Sequence, residues 1–486
     1  MIPRRLLRAL LVATMFAIGI ITSPLPAAAD GDPLDVTITS ITPAALNLSD
    51  PEQIVELRGT LVNTSTEPIR YVNVHFWRLP EALASMEQVT KLTAGGADLP
   101  LGARLFDDAL GNLHLIRQDE EFGPGERADF HVKATVAQLT SGQYALTSTD
   151  VAYLLGVQVR GYPGGEGNQV VGRAQVAVAA TDHPVSSSAL VLLTAPPSWL
   201  PNGTFTDDSL VADLGGRLDT LLTSAERPRV ESAVDPALYA AVERLSNPHV
   251  VDGEQRPGSG VALRWLSRVD ELAKAGRLWR LPYGDPNLGR AEATNVLPQV
   301  LKWADDATPG ALKELPTLAV LEDSTGELAH KLTDINTVVV RNARGAEPGK
   351  PRLLGASPQT GFTALPEGVR LARRITEDLL SPRPPFYVID TPEAARADDE
   401  LGAYRRHVPV SAVPATRIQW AEAPTPEAWP DVAEALTAVD AANVFQRILT
   451  ASDEPADDPT LGALAYSKGF ADQAAAVEWV KAGTPA

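Results

Sequence analysis

The hydrophobic period of this chain changes near residue 182, and that change constrains its folding more than any other feature of the sequence. Over residues 32–182 apolar and polar residues alternate with period two in short runs, among them 36–41, 54–61 and 69–76, separated by turn residues. That pattern predicts antiparallel strands packed as a β-sandwich, here expected to be immunoglobulin-like. Asn63, Thr64 and Ser65 make one turn, and Pro124-Gly125-Glu126 another that precedes a late strand through Phe130 and Val132. Residues 79–115 break the alternation and are expected to form a helical or irregular insertion. His75 and His131 fall inside strand-like runs and read as ordinary sheet residues.

Beyond residue 182 short apolar runs alternate with amphipathic stretches, the βαβ signal for a mostly parallel sheet. Strands are expected at 189–193, 230–234, 278–281, 317–321, 338–340 and 386–389. Leu210, Leu214, Leu218 and Leu221 share one face of a first helix, and Ala262, Trp265, Leu266, Val269 and Leu272 one face of a later one. Repetition of such units over 186–420 predicts a (β/α) barrel-like domain, because no glycine-rich phosphate loop follows any strand. Apolar residues of 421–486 recur at helical spacing and predict a C-terminal helical segment; its Trp429 and Trp479, with Trp420 just before it, either pack inward or line a glycan groove. The fold class is therefore multidomain α+β.

The first 29 residues have a different task. Arg4, Arg5 and Arg8 precede an apolar run over 9–21, then Pro24, Pro26 and the small triplet Ala27-Ala28-Ala29. This is the pattern of a cleavable export signal, and the run is too short for a bilayer span of about 20 residues. No later stretch is apolar enough to span a membrane, so none is expected after cleavage at residue 29. The 42 basic residues less those three arginines leave 39 against 61 acidic, a net charge of −22 that disfavours nucleic acid and anionic lipid as partners. With no Cys in an exported chain, stability must come from buried apolar area.

In a barrel, residues directly after the strands gather at the carboxyl face, where active sites lie. Here they are Asp235-Pro236, Tyr283-Gly284-Asp285-Pro286, Glu322-Asp323, Arg341-Asn342 and Asp390-Thr391-Pro392. Asp235, Asp285, Glu322, Asp323 and Asp390, with Tyr283, are the candidate catalytic residues, since paired carboxylates can perform acid and base work on a glycosidic bond or hold a cation. Asp or Thr before Pro is also an ordinary helix start, and Asp235, Asp285 and Thr391 fit as N-caps. Zinc-dependent deacetylation needs two His four residues apart, which none of the seven His provide, and no Gly-x-Ser-x-Gly elbow exists. No metal or other cofactor is expected.

The segments Arg217-Leu-Asp-Thr-Leu-Leu, Ala233-Val-Asp-Pro-Ala-Leu and Leu281-Pro-Tyr-Gly-Asp-Pro-Asn-Leu, with the sandwich run over 36–74, resemble an actinobacterial family of exported proteins carrying a domain of unknown function. The resemblance implies a signal peptide, an immunoglobulin-like domain and a middle similar in appearance to glycoside hydrolase and deacetylase barrels. It usually implies also a second β domain with a membrane anchor, absent from a sequence ending at Ala486, so a short or truncated member is expected. Relatives often encoded beside the lipid II flippase imply a cell-envelope role. Asn287 stands where the family commonly has a second Asp. Two functions follow: a non-catalytic protein that binds cell-wall glycan or an envelope protein, or a carbohydrate-active hydrolase.

Overall fold

The computed structural model describes residues 32–94, 102–117, 120–164, 167–200, 203–293, 295–321, 326–341, 352–357, 365–413, 415, 459–464 and 467–469. The expected export signal over 1–29 and Trp420, Trp429 and Trp479 lie outside them. The chain forms two compact units, Met1–Val185 with Gln359–Pro382, and Ser186–Pro358 with Arg383–Ala486.

The first unit holds β1 (Leu34–Thr42), β2 (Ala45–Leu46), β3 (Ile54–Asn63), β4 (Ile69–Arg78), β5 (Ala103–Arg104), β6 (Leu113–Ile116), β7 (Arg127–Thr135), β8 (Val151–Pro163) and β9 (Gln169–Ala180). One sheet runs β1-β3-β7, the other β2-β9-β8-β4-β5 with β6 also on β4, antiparallel except where β2 meets β9. Alternation does the sorting: along β3, Val55, Leu57 and Leu61 are fully buried while Ile54 and Arg58 face water. The sheets face each other closely at Gly172 of β9, where a Cβ would come within 2.6 Å of Val36 Cγ2 on β1. Asn63 holds the expected turn, its Nδ2 donating to the carbonyls of Glu67 and Phe122 and its Oδ1 accepting from Ser65 N–H. The insertion at 79–115 contains the helix Met86–Ala94 together with β5 and β6.

One helix of this unit comes from far along the chain. Glu367–Leu380 lies in the region assigned from sequence to the barrel-like domain, yet it packs here, with Gly368 bridging Ser40 and Thr376 Oγ1 donating to Ala177 O at 3.3 Å. Its buried Val369, Ala372 and Ile375 made one apolar face predictable. An apolar stripe says that a helix is covered on one side, and is silent about which sheet covers it.

The second unit contains β10 (Val185–Leu193), β11 (Glu231–Val234), the hairpin β12 (His249–Val251) and β13 (Glu254–Arg256), β14 (Leu278–Arg280), β15 (Leu318–Leu321), β16 (Thr337–Val340), β17 (Arg352–Gly355), β18 (Phe386–Ile389) and β19 (Arg405–His407). β14-β11-β10-β18 form one parallel ladder and β15-β16-β17 another. Arg280 at the end of β14 bridges Thr317 just before β15, and Ser357 after β17 donates its N–H to Phe386 O of β18 at 2.6 Å. Alternate residues from both ladders, including Leu190, Ala233, Leu318, Val339, Leu354 and Phe386, meet in one apolar cluster. Their neighbours in sequence turn outward to the helices. The leucine stripe at 210–221 is carried by two helices, Ser209–Leu214 and Arg217–Ala225, split at Gly215-Gly216, and all four leucines are buried. The helix Gly260–Lys274 buries Ala262, Trp265, Val269 and Leu272 as their spacing predicts. β17, with only Leu353 and Leu354 buried, is too short to have been read from periodicity.

Candidate functional site

Asp235 follows β11 directly and begins the helix Pro236–Leu245. Its backbone is extended, Pro236 occupies the first helical position, and Oδ1 accepts from Ala237 N–H at 2.8 Å, so the expected cap is present. The same Oδ1 also accepts from Gly284 N–H at 2.8 Å. One carboxylate thus ties the carboxyl ends of β11 and β14 together. Asp235 is 3% exposed. Burial pushes its carboxyl up to about 7, the charge of Asp285 adds to the rise, and the two backbone donors and Lys468 oppose it.

The turn after β14 is built differently from the expectation. Gly284 and Asp285 both have left-handed backbone, φ +79° and +40°. At Gly284 a Cβ would also press within 2.9 Å of Leu464 Cδ2, so glycine is required twice over. Asp285 caps no helix. Its Oδ1 pairs with Lys468 Nζ at 2.9 Å, and that ammonium also donates to Val320 O at 2.8 Å. The cap of the helix Leu288–Ala293 is Asn287, whose Oδ1 accepts from Arg290 N–H at 3.0 Å. The position where the resembled family carries Asp therefore has a structural task here, and Asn287→Ala is expected to cost about 0.5–2 kcal/mol. Asp285→Ala should leave that helix intact, and amide exchange across 288–293 in the two variants separates the roles.

Tyr283 does not offer its ring to an open mouth. It is 2% exposed and packs with Leu200, Ala304, Ala463 and Leu464. Asp390 pairs through Oδ2 with Arg341 Nη2 at 2.5 Å, while Thr391 caps the next helix by accepting from Ala394 N–H at 3.1 Å. Glu322 and Asp323 lie outside the described residues.

What the fold brings together is a cleft of about 850 Å³ bordered by Asp235, Gly284 and Asp285, by Lys468 of the C-terminal segment, and by Thr194, Pro196, Pro197 and Ser198 after β10. Arg217 and Asp213 form another part of its wall: Arg217 Nε donates to Asp213 Oδ1 at 3.0 Å and Nη2 to Thr194 O at 2.8 Å. Ser198 is 9% exposed, and its buried Oγ has no hydrogen-bond partner among the described residues. Sequence reasoning missed Lys468, Arg217, Asp213 and Ser198. The four-residue spacing of Asp213 and Arg217 on a helical stretch was a usable signal for that pair. Nothing in the sequence ties Lys468 to Asp285.

No protein-family model and no curated protein matches the chain. Among solved structures, a family 123 glycoside hydrolase from Clostridium perfringens is 8% identical, with 92% of this chain and 97% of that chain covered and a TM-score of 0.26. β-Glucuronidase 2 from Bacteroides uniformis, bound covalently to cyclophellitol-6-carboxylate aziridine, is 13% identical over 63% of this chain and 36% of its own, with a TM-score of 0.18. The chain thus spans about a third of that enzyme's length. The putative ApaA protein from Bordetella pertussis is 12% identical over 33% of this chain and 99% of that chain, also with a TM-score of 0.18. Scores this low fall short of a shared fold.

Proposed function

We propose that the second unit binds a glycan in the cleft at the carboxyl ends of its parallel strands, without cleaving it, and that the protein does this outside the cytoplasmic membrane, in the cell envelope. The ladders β14-β11-β10-β18 and β15-β16-β17, bridged at Arg280–Thr317 and at Ser357–Phe386 around one apolar cluster, make up an irregular (β/α) barrel in this reading. The first unit is its immunoglobulin-like partner domain. The basic, apolar, small-residue leader at 1–29 supports export. No described helix is long and apolar enough to cross a membrane.

The observation that carries the binding reading is the pairing of charges on the cleft wall beside an unpaired hydroxyl. Asp285 is held by Lys468 and Asp213 by Arg217. Asp235 spends Oδ1 on two backbone donors. Of the four carboxylates on the cleft wall among the described residues, Asp285 and Asp213 are thus neutralised, while Asp207 accepts from Ser209 N–H through Oδ1. Ser198 Oγ, buried and without a partner among the described residues, suits a sugar hydroxyl, because an unmet buried polar atom favours any ligand that satisfies it.

The hydrolase reading retains one specific support. Asp235, with its pKa raised to about 7, holds a proton for part of the time at neutral pH, as a general acid must. Calorimetry and product analysis of residues 30–486 with cell-wall glycan and peptidoglycan fragments decide between the two. Binding with no new reducing ends is the expected result. Release of products that Asp235→Asn abolishes would replace binding with hydrolysis.

A further inference from the structure

Among the described residues, the outward face of the larger sheet in the first unit carries an apolar cluster at one end and polar side chains at the other. In the cluster Trp77, Ala152, Leu154 and Ala177 pack with Leu83, with Val89 of the helix Met86–Ala94 and with Leu380 of the helix Glu367–Leu380. Further along the same strands the pairs are Asn73 with Arg160, His75 with Gln158, and Gln158 with Arg173. Directly paired residues of antiparallel strands project to the same side, so these polar side chains share the other end of that face, where His75 is buried beside the Phe106 ring and Asn73, Gln158, Arg160 and Arg173 are partly exposed.

Arg104 of β5 pairs with Trp77 at the apolar end and reaches the polar end through Phe106, whose ring lies under its guanidinium and stands edge-on to His75 with centroids 5.5 Å apart. Burial, then the charge of Arg104, then that of Arg160, hold the His75 imidazole down to about 4, so it is neutral at physiological pH. Arg104 is itself held below its ordinary value, by burial and then by the neighbouring Arg160. The two guanidiniums come from the strands on either side of His75, Arg160 from β8 and Arg104 from β5, and among the described residues neither meets a carboxylate. Arg160 donates to the side-chain and backbone oxygens of Asn168, at 2.9 and 2.7 Å, and Arg104 lies 4.7 Å over the ring of Phe106. In a chain with 61 acidic residues against 42 basic ones, internal partners for arginine are plentiful. Such a pair left without one has room for an anion from outside.

The rim is aromatic. Phe106 is 63% exposed and Tyr71 49%. Tyr71 is inserted by a bulge between Arg70 and Asn73, has a left-handed backbone at φ +51°, and stands edge-on to Tyr162 with ring centroids 5.6 Å apart. A tyrosine in that conformation costs about 1–3 kcal/mol and still presents its ring to water, a combination found where strain serves binding. Flat rings receive the apolar faces of sugars, and planar guanidiniums receive carboxylates in bidentate fashion.

We propose that this open end of the sheet binds an acidic polysaccharide, with its carboxylates on Arg104 and Arg160 and its sugar rings against Tyr71 and Phe106. The site is independent of the cleft in the second unit. The net negative charge of the whole chain slows a polyanion's approach, so recognition rests on short-range contacts and favours a ligand that also stacks.

The test is calorimetric titration of residues 30–486 with polygalacturonate, with neutral dextran and polyphosphate as the comparison ligands. Polygalacturonate is expected to bind, and Arg104→Ala and Arg160→Ala each to weaken it about tenfold, the loss of one charged hydrogen-bonding group. Tyr71→Ser should weaken it as well, and melting temperatures should stay within a few degrees of the parent. Should Arg160→Ala not fold, Arg104→Ala alone decides, since among the described residues the Arg104 guanidinium meets only a ring. Absence of polygalacturonate binding, or undiminished binding by a folded Arg104→Ala, would overturn the proposal. Equal affinity for dextran would remove its charge component, and equal affinity for polyphosphate its sugar component, and either result rejects it.

Discussion

Asp398→Ala is expected to destabilise the second unit by about 3–5 kcal/mol, read as a lower denaturant midpoint with an unchanged slope. Asp398 lies on the helix Pro392–Glu400 with its side chain 2% exposed. Its Oδ1 faces Arg405 Nη1, and its Oδ2 faces Arg227 Nη2 at 3.0 Å and His407 Nε2 at 3.3 Å. The Arg405 side chain is 1% exposed, and its guanidinium sits 4.6 Å over the Tyr387 ring. Alanine at 398 removes the carboxylate that Arg405, Arg227 and His407 share and leaves the buried Arg405 guanidinium beside Arg227 without it, so the loss is set by the stranded cation more than by the broken pair. Burial pushes the Asp398 carboxyl up, but the hydrogen bond from His407 and the charges of Arg405, His407 and Arg227 outweigh it, so the carboxyl is held below its ordinary value. The folded state therefore binds this proton less readily than the unfolded chain. Its stabilisation is complete above the ordinary value of 3.8 and fades as pH falls through the lower folded value. The alanine variant should lose that acid-side dependence, and a change below about 1 kcal/mol would mean that the network contributes nothing net.

The opposite sign is expected at Asp235. Its carboxyl is raised from 3.8 to about 7, so the folded protein holds the proton that the unfolded chain has released. Stability contributed by this group is fully present below pH 3.8 and declines as pH rises to about 7. At about 1.4 kcal/mol per pKa unit the decline is on the order of 4 kcal/mol. Asp235→Asn keeps an oxygen for Ala237 N–H and Gly284 N–H and removes the titration. The variant should be less pH-dependent than the parent between pH 4 and 7 and more stable than the parent at pH 8. Urea midpoints of both proteins at pH 5 and pH 8 measure this, and parallel pH profiles would mean that the Asp235 carboxyl is ordinary. The two carboxylates act in separate pH windows, so their contributions can be resolved in one titration of stability.

Much of this architecture was legible along the chain because it depends on local periods. The alternation in β3 and β4, the strands around Val191, Ala233 and Val339, and the apolar face of the helix Gly260–Lys274 follow from how often an apolar side chain must return to one side. The caps Asp235 and Thr391 were legible for the same reason, since a cap is bonded two or three residues ahead. Asp285 shows where local reading ends. Its Asp-Pro pattern suggested a cap, but the strained turn at Gly284 and Asp285 directs the carboxylate elsewhere and leaves the capping to Asn287.

Everything that makes the cleft a site is long-range. Lys468 meets Asp285 across 183 residues of chain, and Asp235 reaches Gly284 across 49. Tyr283 is buried because Leu464 and Ala304 come to it. The helix Glu367–Leu380 joins the first unit through residues hundreds of positions away, Gly368 at Ser40, Thr376 at Ala177 and Leu380 in the cluster with Trp77 and Leu154. Sequence by itself determined the elements and their inward faces, since each residue's hydropathy and backbone preference act within a few positions. Tertiary structure alone decided which charges are neutralised and which polar atoms stay open, because burial and Coulomb interactions depend on distances in space that the spacing along the chain does not encode.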